Sequence, residues 1–277
     1  YHTLYRSSLR ISYKGCYCFY ISLDLIFWGF PTVKVGGYTG KILLVDLSEK
    51  TVKTIEPHEN VLKMFLGGSG LGAKILYDIL QQPDLVDALA PQNPLIFMTG
   101  PLTGSHFPTS GRFSVVAKSP LTGIYGEANA GGFWGAELKF AGYDGIIVIG
   151  KAKEPTYITI FDGEVEFHKA DHLWGKDTLE TEEIIRRDHG DPKIKVACIG
   201  PSGEKQVVIA CIICDSGRAA GRTGLGAVMG SKKLKAIAVR GTGALEYSNK
   251  EKLLEHCKNV ISKVSKSIYA RNARKYG

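Results

Sequence analysis

The chain has 277 residues, of which 44% are hydrophobic and 22% charged, the balance of an ordinary soluble globular protein. Its net charge of +8 sits at the ends: residues 1–36 carry four Lys/Arg against one acid and residues 249–277 eight against two, which leaves the body one charge negative and argues against a nucleic-acid surface. Six cysteines at this length are too few for a disulfide scaffold and point to a reducing, cytoplasmic setting.

Residues 1–36 are aromatic and apolar without a sustained period, and Phe19–Phe30 is interrupted by Asp24 and too short to span a bilayer. This stretch is expected to be a disordered or non-native extension, with a targeting segment as the alternative. From Gly37 the pattern becomes regular. Lys41–Leu47 and Thr51–Ile55 alternate as a hairpin, Pro57–Leu66 reads as a short helix stopped by Gly67-Gly68, and Leu71–Leu80 as a second helix. Pro94–Thr99 and Phe113–Ala117 are apolar strands, Phe133–Phe140 a helix and Gly145–Ile149 a strand. Tyr157–Phe161 and Val165–His168 flank Asp162-Gly163, a hairpin turn. Thr178–Asp188 is a helix with an acidic first turn, and Lys195–Ile199 and Val207–Cys214 are strands. Leu225–Met229 is a short helix, Leu234–Val239 a closing strand and Lys250–Lys266 a long amphipathic helix. Strands outnumber helices and often come as hairpins, so the fold class is α+β: a β-rich domain with two mixed or antiparallel sheets and flanking helices. Three segments are expected: the 1–36 extension, a domain over 37–248, and in 249–277 the start of a helical domain.

Cys211 and Cys214 have C-x-x-C spacing, but on a strand positions three apart face opposite ways, a poor arrangement for one metal. The pair reads as core cysteines. His58, His106, His168, His172 and His189 match no helix-borne zinc pair and read as surface or locally bonded histidines.

The stretch 215–241, DSGRAAGRTGLGAVMGSKKLKAIAVRG, places Arg218 and Arg222 among glycines. It is not a Walker loop, because Ser231 and not lysine follows Gly230, and Gly224-x-Gly226 misses the third glycine of a dinucleotide fingerprint by one position. Exposed backbone N–H groups and guanidinium forks still suit an anion, while two arginines on one face of a capped helical turn would account for the same residues. A second stretch has similar chemistry. Arg112 follows Gly111 at the entry to a strand, and Glu127-Ala-Asn129-Ala-Gly131-Gly132 runs into a helix whose N-terminal N–H groups would face whatever lies beside Asn129.

Taken together, GPLTG (100–104), PTSGRFSVVAKSPLTG (108–123), ANAGGFWGAELKFAGYDGIIVIGKA (128–152), HLWGK (172–176), IGPSGE (199–204) and DSGRAAGRTGLGAVMGSKKLKAIAV (215–239) resemble, in order and spacing, the N-terminal domain of the tungsten-containing aldehyde:ferredoxin oxidoreductase family. The resemblance implies a β-rich base for a bis-molybdopterin cofactor of tungsten, occasionally molybdenum, with Mg²⁺ bridging the pterin phosphates. It implies cofactor contacts at Arg112, Asn129, Gly131, Arg218, Ala219, Gly221 and Arg222, with the backbone carbonyls of Asn129 and Ala219 as Mg²⁺ ligands. It further implies oxidation of aldehydes to carboxylic acids, with electrons passed through a [4Fe–4S] cluster to ferredoxin as partner. No nucleic acid or membrane partner is expected, and a homo-oligomer is allowed.

The family's cluster motif, C-x-x-C-x-x-x-C with a distant fourth cysteine, does not occur in these 277 residues. The chain therefore reads as a fragment that lacks cluster and substrate pocket, and it is expected to be inactive alone. The alternatives are a related tungsten or molybdenum reductase acting on an acyl-CoA ring or a hydroxycarboxylate, and a non-catalytic anion- or nucleotide-binding domain.

Overall fold

A computed structural model describes residues 35–277, together with a short antiparallel pairing of β1 (Leu9–Arg10) and β2 (Tyr20–Ile21). The expectation of a disordered or non-native segment before residue 35 lies outside the described residues.

The first half of the body begins with the hairpin β3 (Ile42–Asp46) and β4 (Thr51–Ile55) and the helices α1 (Glu59–Phe65) and α2 (Gly68–Ile79). It continues through β5 (Leu95–Thr99), β6 (Phe113–Lys118), β7 (Tyr125–Ala130), α3 (Trp134–Phe140) and β8 (Gly145–Ile149). Its strands form a six-stranded sheet in the order β4-β3-β8-β5-β6-β7, and β3 with β8 is the parallel pair. β3, β5 and β8 are buried along their whole length because both faces of the sheet are covered, which is why they read as unbroken apolar runs.

The second half repeats this path. The hairpin β9 (Thr156–Phe161) and β10 (Glu164–Lys169) leads to α4 (Thr178–Asp188) and β11 (Lys195–Cys198). After a single helical turn, α5 (Pro201–Glu204), come β12 (Ile212–Cys214), β13 (Arg218–Ala220), α6 (Leu225–Ser231) and β14 (Leu234–Arg240). The order β10-β9-β14-β11-β12-β13, with β9 and β14 parallel, is the same topology. In each half the fifth strand, β7 or β13, is an outer edge.

α3 and α6 lie between the sheets and touch strands of both. Trp134 of α3 is fully buried there, with its ring 5.5 Å from Phe97 and 4.6 Å from Phe113 of the first sheet, while its Nε1 donates to Ile237 O of the second at 3.1 Å. α1 and α2 cover the other face of the first sheet through Leu62, Leu71 and Ile75, and α4 covers that of the second through Ile185. α2 comes close to the sheet: a Cβ on Gly72 would stand 2.9 Å from Val116. α7 (Lys250–Lys266) and α8 (Ile268–Tyr276) complete the chain. Among the described residues no helix is long and apolar enough to cross a membrane.

The expected fold class is found, with mixed sheets and flanking helices. Three local expectations differ. The predicted strand Val207–Cys214 contracts to Ile212–Cys214, because Gln206 takes a left-handed φ of 56° and turn bonds such as Ala210 N to Val207 O (2.8 Å) bend the apolar run. The stretch around Asn129, assigned to no strand from the sequence, is strand β7. Its inward residues are Gly126, Ala128 and Ala130, so the two-residue period is present without the β-branched side chains that usually signal it. Arg218–Ala220, likewise assigned to no strand from the sequence, is strand β13.

Candidate functional site

The two edge strands β7 and β13 meet side by side although they belong to different sheets. Thr223 Oγ1, three residues past β13, donates to Glu127 O at 3.3 Å, and the Cys214 thiol donates to Gly131 O at 3.6 Å. Carbonyls alternate sides along a strand, so the Asn129 carbonyl, between those of Glu127 and Gly131, lies on the same edge, toward the second half. Ala219 lies at the middle of β13, exposed, and pairs with Ile213 on its inner side. The structure thus brings Asn129 and Gly131 to the same seam as Ala219 and Gly221. The four hold matching places in the two halves: Asn129-Ala-Gly131 ends the fifth strand of one, Ala219-Ala-Gly221 the fifth strand of the other.

Local chemistry sets this geometry. β12 and β13 are joined by Asp215, Ser216 and Gly217, with left-handed φ at Asp215 (47°) and Ser216 (57°). An aspartate tolerates that region better than most residues, and Ser216 is fixed by its N–H and hydroxyl donating to Glu182 Oε2 of α4 at 3.0 and 3.1 Å. The turn aims Asp215 at the start of α3, where its Oδ2 accepts from Phe133 N (2.6 Å) and Trp134 N (3.1 Å). The expectation that these N–H groups face a ligand beside Asn129 is corrected here: a carboxylate from the other half satisfies them. Gly132 (φ 87°) makes room for it, since a Cβ there would stand 2.3 Å from Asp215 Oδ2.

Arg112 precedes β6, Arg218 opens β13 and Arg222 follows it, and all three are exposed. Among the described residues none of the three guanidinium groups has an ion pair or hydrogen bond, whereas Arg186 pairs with Glu182, and Arg240 with Glu137 and Asp191. Guanidinium forks without a partner among the described residues, near the outward Asn129 carbonyl, suit a polyanion that brings a hard cation, which takes oxygen ligands. Glycine at 131 is not demanded by the chain's own packing, because a Cβ there would meet nothing within 4 Å and its φ is not left-handed. A bare backbone at that place leaves room for a molecule lying over it. Among the described residues no group of three or more His, Cys, Asp or Glu could hold a metal.

Behind Asn129 is a polar network that the sequence reading did not single out. Asn129 Nδ2 donates to Glu127 Oε1 at 2.6 Å, and its Oδ1 accepts from Ser114 Oγ at 2.9 Å. Ser69, at the start of α2, donates to the same Glu127 oxygen at 2.5 Å and lies 3.2 Å from Ser114 Oγ. Tyr125 OH donates to Glu127 Oε2 at 3.3 Å, and burial, reinforced by the Glu127 charge, pushes its pKa up to about 12, so it remains a donor. Alternation along β7 places Tyr125, Glu127 and Asn129 on one face, a signal legible only once the strand is known.

The remaining candidates lie elsewhere. Cys214 is buried and Cys211 partly so. Burial pushes the Cys214 thiol well above its ordinary range and that of Cys198 up to about 12, which keeps both protonated. His58 caps α1, His168 Nε2 bonds Thr159 Oγ1 at 2.9 Å, and His189 Nε2 bonds Tyr157 OH at 3.1 Å, as local bonding predicts.

Comparison with known proteins gives concordant matches. The family model described as "Aldehyde ferredoxin oxidoreductase, N-terminal domain" matches residues 42–241. A "Tungsten-containing aldehyde ferredoxin oxidoreductase" of Pyrococcus horikoshii is 48% identical over 243 residues, covering 87% of this chain and 40% of that protein. An "Aliphatic sulfonate oxidoreductase, WOR-like subunit" of Pyrococcus furiosus is 43% identical over 78% of this chain and 36% of that protein. Among solved structures, one titled "Active site complex BamBC of Benzoyl Coenzyme A reductase in complex with 1,5 Dienoyl-CoA" superposes with a TM-score of 0.81 at 39% identity, over 83% of this chain and 35% of that one. The chain spans about two fifths of the length of the first of these relatives.

Proposed function

We propose, for a chain that belongs to the aldehyde ferredoxin oxidoreductase family through its N-terminal domain, that the seam between β7 and β13 is one half of the seat of a tungsten or molybdenum bis-molybdopterin. The observation that carries this reading is the convergence, at equivalent places in two halves of like topology, of Asn129 and Ala219 on neighbouring edge strands, with three exposed arginines that have no partner among the described residues. A ligand with two like arms and bridging phosphates matches a protein surface with two like edges.

In this reading the carbonyls of Asn129 and Ala219 hold Mg²⁺, and Arg112, Arg218 and Arg222 take the phosphate oxygens. Gly131 and Gly221 admit the cofactor against the main chain. Mg²⁺ keeps octahedral geometry and several waters and phosphate oxygens, so two protein oxygens are a reasonable share. The guanidinium groups offset the ligand's charge and fix its orientation. When bound, the cofactor supplies two-electron chemistry that turns an aldehyde and water into a carboxylic acid. The chain's own residues bind and orient. We assign the [4Fe–4S] relay, ferredoxin docking and substrate pocket to parts of the protein outside these 277 residues, and the setting to the cytoplasm. The domain limits that follow are 37–248 for the base and 249–277 for the start of a helical domain.

The reading is tested on full-length protein from tungstate-supplied cells, by tungsten, pterin and magnesium content and by aldehyde-dependent viologen reduction. Stoichiometric tungsten and pterin, both lost in Arg218→Ala/Arg222→Ala, are expected. Bound nucleotide without metal or pterin would replace this reading with an anion-binding domain. The solved relative named for benzoyl-CoA reductase favours a second reading, in which the same base serves a reductase of another substrate. Viologen reduction that responds to an acyl-CoA and not to aldehydes would select it.

A further inference from the structure

The proposed cofactor seat leaves Glu127 without a role, although its carboxylate accepts from three side chains beside the seam. Its carboxylate accepts from Ser69 Oγ at 2.5 Å, Asn129 Nδ2 at 2.6 Å and Tyr125 OH at 3.3 Å, and its own carbonyl accepts from Thr223 Oγ1 of the other half. Both polar atoms of the Asn129 side chain are thereby engaged. Its nitrogen is held by Glu127 and its oxygen by Ser114, so the side chain is drawn along β7 toward α2 and the main-chain carbonyl is the oxygen of this residue left facing the second half.

We infer that Glu127 is a positioning residue for a hard divalent cation at the seam, holding the Asn129 side chain aside and fixing the peptide whose carbonyl meets the ion. The inference rests on the cofactor-seat reading and adds to it a residue that touches neither ion nor phosphate. It also accounts for the asparagine. A carbonyl ligand can come from any residue, as Ala219 in the other half illustrates, so the Asn129 amide serves to anchor the strand. In β13 the matching restraint comes from the short hairpin itself, whose Asp215–Gly217 turn is fixed by Glu182 and by the start of α3. Partners that orient a ligating group without touching the metal typically contribute 10–100-fold to affinity.

The test uses the whole 277-residue chain with Mn²⁺ and inorganic pyrophosphate as the probe, followed by Mn²⁺ EPR and calorimetry where circular dichroism shows the native fold. Glu127→Ala is expected to weaken Mn²⁺ binding about tenfold. Glu127→Gln is expected to recover most of the loss, because its Oε1 still accepts from Asn129. Asn129→Ala retains its carbonyl, and in that background Glu127→Ala should add little, which distinguishes action through Asn129 from a general loss of packing. Unchanged binding in Glu127→Ala, or an equal further loss in the Asn129→Ala background, would overturn the inference and leave the seat reading intact. Absence of any Mn²⁺-pyrophosphate binding by the wild-type chain would overturn both.

Discussion

Asp215 is the clearest place to test how the two halves are held in register, because one carboxylate of the second half closes the helix end of the first. Its Oδ2 accepts from Phe133 N at 2.6 Å and Trp134 N at 3.1 Å, and Lys195 Nζ stands 3.8 Å from Oδ1. The side chain is only 10% exposed, so water replaces it poorly. Loss of a capping acceptor costs about 0.5–2 kcal/mol, and a partly buried charge at a helix end contributes up to ~2 kcal/mol more. Asp215→Ala is therefore expected to destabilise by about 2–3 kcal/mol. Asp215→Asn keeps a capping oxygen and loses only the charge, at about 1 kcal/mol. Urea unfolding followed by both tryptophan fluorescence and far-UV circular dichroism, with slopes compared, reads the difference. If Asp215→Ala falls within about 0.5 kcal/mol of wild type, the typical range for a surface change, or if Asp215→Asn is as damaging as Asp215→Ala, the carboxylate is not the link described.

Two further outcomes follow from close packing and buried charge. Gly230→Ala would place a Cβ 1.9 Å from Gly203 O, backbone against backbone between α6 and α5, and is expected to cost roughly 3 kcal/mol; a thermal midpoint equal to wild type would contradict it. Lys232 is fully buried, donates to Pro91 O and Gly150 O at 3.0 and 3.1 Å, and has its pKa lowered by burial to about 7, against a slight upward pull from Asp46. Between that value and the unfolded one of 10.5 the unfolded chain binds the extra proton, so wild-type stability relative to Lys232→Met should rise as the pH is raised through this window, by at most about 1.4 kcal/mol per unit, and a flat difference would refute it.

The path of the chain was largely legible in its sequence, and the missed parts share a cause. β3, β5, β8 and β14 announce themselves because sheets covered on both faces need continuous apolar runs. The two strands that carry the candidate site were hidden. β7 buries Gly126, Ala128 and Ala130, and β13 is three residues long with two exposed, so neither supplies the bulk by which strands are recognised. The candidate arginines and Asn129 were singled out by their setting among glycines and by family resemblance. Glu127, Ser69, Ser114 and Asp215 escaped because their meaning depends on contacts between residues 45 to 82 positions apart.

Small residues on β7 and β13 are a condition of the seam. A sheet edge that offers carbonyls outward is normally a hazard, since it can template pairing with another chain. Here two such edges meet at one seam, next to the exposed Arg112, Arg218 and Arg222. In the proposed seat a multivalent anion would offset these charges. Bulky β-branched residues would have strengthened the strands, and acidic partners would have neutralised the arginines. The first would crowd the bare backbone of the proposed seat, and the second would cancel its positive charge. The features that make this region a weak strand signal are therefore the ones that the proposed binding surface requires, a relation seen elsewhere when local structural preference yields to a site.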